Sequence, residues 1–209
     1  VQLIRPGRLL VVLRAHRAEQ MAQQSRVQAE ALLGYLTTDF AEELSRSGRL
    51  DVVAALAKRE VEYFQALPEA LKGPESKRLG ALALIQQGRA QRSMGLLDEA
   101  DAATDAALAL IGQLREAGDD SEETLLAEVR ALGLKARILS SGEGVGFLQM
   151  AERAVELLAP LASRPDASEA VRNLDVEQRV SLGFAYGSSS QNETAVARLK
   201  DTMARAERD

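Results

Sequence analysis

The apolar positions fall into helical stripes. In residues 26 to 46, Ala29, Leu32, Leu33, Leu36, Phe40 and Leu44 recur at three- and four-residue steps. That spacing places them on one face of a helix. Ser47-Gly48 then breaks the pattern, and a second stripe follows in Val53, Leu56, Val61 and Phe64, with Asp51 placed to cap its start. Two such helices joined by a short glycine turn form a helical hairpin. The same design recurs three times. Helices are expected over about 76–94 and 98–117, over 122–140 and up to about 159, and over 168–186 and from 193 onward. The breaks between them are Gly95, Gly118 to Ser121, the glycine-rich Ser141 to Gly146, and Gly187 to Asn192. No segment alternates as a strand would.

Proline supports this division. Residues 7 to 67 and 75 to 159 contain none, which permits long helices. Pro68 to Pro74 and Pro160 to Pro165 frame two short connectors. The expected organisation is a basic lead helix or connector over 1–25, then a helical repeat region over 26–209. Its hairpins fall at about 26–67, 75–117, 121–160 and 167–209. The expected fold class is all-α, with about eight helices plus the lead segment.

A shared mark links the hairpins. Leu33-Gly34, Gln87-Gly88, Leu132-Gly133 and Leu182-Gly183 each put a glycine in the middle of a first helix. Glycine there costs about 0.5–1 kcal/mol against alanine. A repeated cost implies a repeated reason, and close approach of a neighbouring helix supplies one. Leu84, Gly88, Gly95, Ala100 and Ala107, and again Leu182-Gly183, Tyr186 and Ala195, resemble the tetratricopeptide repeat (TPR), a helix–turn–helix unit of 34 residues. Residues 81–114 match best and the last pair next, while Pro160 resembles the proline that closes a unit. The stretch Gln28 to Phe64 also resembles the opening of TPR regions in multidomain bacterial signalling proteins. The glycine marks lie 54, 45 and 50 residues apart, so the units here are longer than the family norm. The resemblance implies a right-handed stack of antiparallel hairpins, a TPR-like α-solenoid, that binds a partner peptide or domain in its concave groove.

Composition narrows the functions available. The chain has 209 residues, 46% of them hydrophobic, but only 3% aromatic. Alanine (35) and leucine (32) dominate, against 4 isoleucines, which favours helices over sheets. With no cysteine and one histidine, thiol chemistry, iron–sulfur clusters, cysteine-based zinc sites and most histidine metal sites are removed. The net charge is -5, and it divides unevenly. Residues 1 to 26 hold five Arg and one Glu, a surplus of four positive charges, which leaves nine negative for the rest. Such a body offers no general nucleic-acid surface. The run Leu9 to Leu13 between Arg8 and Arg14 is far shorter than the roughly 20 residues of a membrane span. It reads as part of a lead helix, or as a juxtamembrane or inter-domain connector.

Several motifs resemble chemical signatures. Asp98-Glu99-Ala100-Asp101 spells a helicase box, but no phosphate-binding loop accompanies it, and acidic residues suit a helix start. Gly142 to Gly146 resembles a nucleotide loop without the strand such a loop needs. Asp119 to Glu123 lacks the alternation of a calcium loop and reads as a solvated capping run. His16, between Arg14 and Arg17, reads as a surface or packing histidine. Ser188 to Ser190 has no base nearby, and Asn192-Glu193-Thr194 fits a glycosylation pattern with nothing else pointing to secretion.

The remaining candidates lie on the groove side of the first helices. Arg89 and Arg92 stand one and four residues past Gly88, and Arg137 stands four past Gly133, the place equivalent to Arg92. Phe184 and Gly187 hold the matching places in the last pair. Guanidinium groups in a row suit a carboxylate or an acidic peptide. The expected partner-binding residues are therefore Arg89, Arg92, Arg137 and Phe184. No catalytic residue, cofactor, metal or small-molecule substrate is expected. The expected function is protein–protein interaction or scaffolding in the cytoplasm as part of a larger protein, with membrane contact only through an upstream segment. The alternative is self-association or regulatory coupling in a multidomain, possibly membrane-anchored, signalling protein.

Overall fold

In the computed structural model, residues 6–36, 40, 43–44, 47–141 and 146–206 are described. They are predominantly helical, and no strand occurs among them. Eight α-helices follow one another: α1 (Pro6–Tyr35), α2 (Leu50–Ala66), α3 (Pro74–Ser93), α4 (Leu97–Glu116), α5 (Glu122–Ser141), α6 (Phe147–Ala162), α7 (Glu169–Ser188) and α8 (Asn192–Ala206). A short 3₁₀ turn, Glu69–Leu71, precedes Pro74, which sits at the first turn of α3 where its missing N–H costs nothing.

The turns share one device. Leu96 N–H bonds to Gln91 O, Asp119 N–H to Leu114 O and Gln191 N–H to Tyr186 O, each at 2.9 Å. This six-to-one bond closes a Schellman cap and needs a left-handed residue before it. Gly95 (φ 79°) and Gly118 (φ 83°) fill that place in two turns, and Ser190 (φ 63°) fills it in the third.

Two expectations are corrected at helix ends. Pro160 does not end its helix: α6 runs past it to Ala162, because Pro160 falls in the last turn, where only one backbone bond is lost. Asp51 does not cap α2. Arg49 holds that position, with Asp51 inside the first turn. The lead segment also runs unbroken into the first repeat helix, since α1 continues from Pro6 to Tyr35 across the expected boundary at 25/26.

Packing follows a simple rule. Each helix from α2 onward packs on the next, and the odd helices α1, α3, α5 and α7 also pack on the next odd one. Thus α4 lies against α3 and α5, and α6 lies against α5 and α7. The core is a succession of apolar clusters rather than one centre. Ile85, Ile111, Leu134 and Ile138 fill the space among α3, α4 and α5, with Ala100, Ala107, Ala127 and Ala131 letting the backbones close in. Val129, Leu158, Leu161, Val171 and Leu174 continue it among α5, α6 and α7. Each such large side chain contributes about 1.5–3 kcal/mol on burial.

The odd helices repeat one another closely. α3, α5 and α7 are each 20 residues long and begin at 74, 122 and 169, spacings of 48 and 47. All three bury their third, sixth, tenth, fifteenth and seventeenth residues. At the fifteenth place stand Gly88, Ala136 and Gly183. A Cβ on Gly88 would lie 3.0 Å from Thr104 Oγ1 and 3.2 Å from Ala100 O, and one on Gly183 would lie 2.6 Å from Leu199 Cδ2. Close approach is therefore what these glycines serve. Gly112 in α4 is the contrast, with nothing within 4 Å of the Cβ position. Gly112→Ala is expected to raise stability by about 0.5–1 kcal/mol, read as a higher midpoint in thermal unfolding followed by circular dichroism.

Candidate functional site

The repeat register decides which side chains meet. Arg89, Arg137 and Phe184 occupy the sixteenth place of α3, α5 and α7, one residue past Gly88, Ala136 and Gly183. Arg137 is thus the counterpart of Arg89, not of Arg92. The expected pairing took Gly133 as the mark in α5, but Gly133 lies one turn too early. Its Cβ position points at Gln178 of α7, 2.0 Å from Oε1.

The structure brings Arg89, Arg92 and Arg137 together. Arg137 Nη1 donates to Glu177 Oε1 at 2.9 Å and to Ser181 Oγ at 3.2 Å. Arg89 Nη2 reaches the same Glu177 oxygen at 3.4 Å. Burial pushes the Arg137 guanidinium below its ordinary value. Glu177 opposes that shift, and the neighbouring Arg89 and Arg92 charges add to it. Arg92 lies close enough to be felt in this way, and its own Nε is buried with no hydrogen-bond partner. Two guanidinium groups therefore share one carboxylate oxygen, and the charge of Arg92 acts on Arg137 beside them.

Phe184 is the fourth expected residue. Its ring is 67% exposed, one turn past Ser181 and two past Glu177 on the same face of α7. Sequence reasoning missed Glu177 and Ser181. Glu177 meets Arg89 across 88 residues of chain, and no local pattern marks it.

A second polar cluster ties the turn between α4 and α5 to α3. Asp119 accepts from Ser121 N–H at 3.1 Å, from Thr124 Oγ1 at 2.8 Å and from Arg78 Nη2 at 3.1 Å. The bonds from Ser121 and Thr124 hold its carboxyl well below the usual carboxylate range. The Asp119–Glu123 run caps the start of α5 as expected, through Ser121 Oγ accepting from Thr124 N–H, and its first member also ties the turn to Arg78 of α3. The acidic box at Asp98–Asp101 opens α4 as expected, and His16 is exposed beside Gln20.

Among the described residues no group of histidines and carboxylates could hold a metal ion, and no helix is long and apolar enough to cross a membrane. Residues 142–145 of the glycine-rich loop lie outside the described residues. No protein-family model matches the chain, and no curated protein or solved structure matches it either.

Proposed function

We propose that the chain is a protein–protein interaction module: a right-handed, TPR-like stack of helical hairpins that holds an acidic partner segment on the face of α3, α5 and α7. The observation that carries this reading is the convergence of Arg89 and Arg137, from two different helices, on the single carboxylate of Glu177. Guanidinium groups bind carboxylates through paired, directional bonds, so a surplus of them on one face suits an acidic peptide. The repeating burial of α3, α5 and α7 supports the stacked architecture. Phe184 adds an apolar contact beside the charges. In this reading the chain performs no chemistry of its own and works in the cytoplasm as part of a larger protein.

The test uses a fluorescent hexaglutamate peptide, with hexalysine as control. The wild type binds hexaglutamate and not hexalysine. Arg89→Glu with Arg92→Glu keeps its helicity by circular dichroism but loses at least about tenfold in affinity. Equal affinity for both peptides, or no loss in the double variant, removes the arginines from the site.

A second reading has its own observation. α1 packs principally on α3, through Glu30 and Gly34, and leaves Met21, Val27, Leu32 and Tyr35 exposed. Such a helix could join a second copy of the chain, the self-association alternative. Sedimentation separates the two: a dimer that dissociates when Met21 and Leu32 are replaced by Gln favours this reading, and a monomer rejects it.

A further inference from the structure

We propose that Glu177 is a built-in competitor at the arginine site, holding the place of the partner's carboxylate until the partner arrives. The inference rests on the acidic-partner reading above and adds a regulation to it.

Glu177 belongs to α7, whereas its arginines belong to α3 and α5. Arg89 and Arg137 both converge on one oxygen, Oε1. The carboxylate is the outermost member of the group: its side chain is 42% exposed, against 30% for Arg89 and 22% for Arg137. An incoming acid therefore meets Glu177 first and can replace it by rotation of the Glu side chain alone.

The apolar packing of α7 rests on other residues: Val171 and Leu174 anchor that helix at 2% and 5% exposure. Ser181 Oγ goes on accepting from Arg137 Nη1 when Glu177 swings out, so the guanidinium stays oriented. The Arg89–Glu177 pair, at 3.4 Å and partly exposed on both sides, is weak, because water competes for both partners. A peptide carboxylate that engages Arg89 and Arg137 at once takes over both bonds that Glu177 gives up, and so gains more than the displacement costs.

The experiment compares wild type, Glu177→Gln and Glu177→Ala with the hexaglutamate peptide at low ionic strength, and records thermal unfolding of each. The expected result is affinity about fivefold tighter in both variants, with unfolding midpoints close to wild type. Binding seen only in the variants supports the same conclusion. If the wild type binds and the variants bind no tighter, Glu177 is a strut and the proposal falls while the acidic-partner reading stands. If no form binds, that reading fails and takes this one with it.

Discussion

Gly88→Leu is expected to lower stability by about 3 kcal/mol, seen as a fall of roughly 10 °C in the unfolding midpoint. The reason is geometric. Gly88 faces two neighbours at once: Thr104 and Ala100 of α4, and Leu134 of α5. The added Cβ alone would lie 3.0 Å from Thr104 Oγ1 and 3.2 Å from both Ala100 O and Leu134 Cδ2. Thr104 cannot swing away without losing its bond to Ala100 O at 2.7 Å, in a fully buried position. The carbonyl oxygen is backbone and cannot yield at all without moving α4. A leucine must therefore push α4 and α5 off α3, opening the cluster around Ile85, Ile111 and Leu134. Gly88→Ala should cost less, since its gain in helix propensity of about 1 kcal/mol offsets part of the overlap. Equal stability of Gly88→Leu and wild type would mean that the three helices do not share this contact.

That contact also explains what the sequence could and could not reveal. Helices α2 to α8 follow from apolar spacing and turn residues, because each depends on neighbours within a few residues. Register between helices depends on distant partners. Gly133 resembles Gly88 in sequence, yet Ala136 is its structural counterpart, since alanine is small enough to serve at that crossing. With Gly133 as the mark, Arg137 falls in the row of Arg92; with Ala136 it falls in the row of Arg89. Arg89 and Arg137 meet in either register, because both lie on the surfaces of α3 and α5 that turn toward Glu177 of α7. Glu177 itself is not legible in the sequence, because its meaning comes only from the guanidinium groups that helix packing brings to it. The continuity of α1 was also hidden. The change from basic to acidic composition near residue 26 marks a chemical boundary, but charge does not break a helix, and nothing between Pro6 and Tyr35 does.

Asp119→Ala is expected to cost about 2 kcal/mol at neutral pH, a drop of roughly 6 °C. Its carboxylate accepts the Ser121 N–H, the Thr124 hydroxyl and the Arg78 guanidinium, and Arg78 Nε also bonds Thr124 Oγ1 at 3.1 Å. Removing the carboxylate leaves the fully buried Thr124 hydroxyl and the Arg78 Nη2 group without this acceptor, while Arg78 keeps Glu75 and Thr124 Oγ1. It also cuts the link by which the turn between α4 and α5 grips α3. The pH dependence separates this from a simple packing loss. The folded state keeps the Asp119 carboxyl below its ordinary value, because the hydrogen bonds favour the charged form. Stability from a lowered carboxyl is complete above the unfolded value, near 4, and drains away as pH falls toward the folded one. The gap in midpoint between wild type and Asp119→Ala should therefore be constant from pH 7 to about 5 and narrow below about 4. Asp119→Asn, which keeps an acceptor but no charge, should fall between the two at neutral pH and approach wild type in acid. A gap that stays the same down to about pH 3 would show that the charge at Asp119 contributes nothing, and that the turn is held by shape alone.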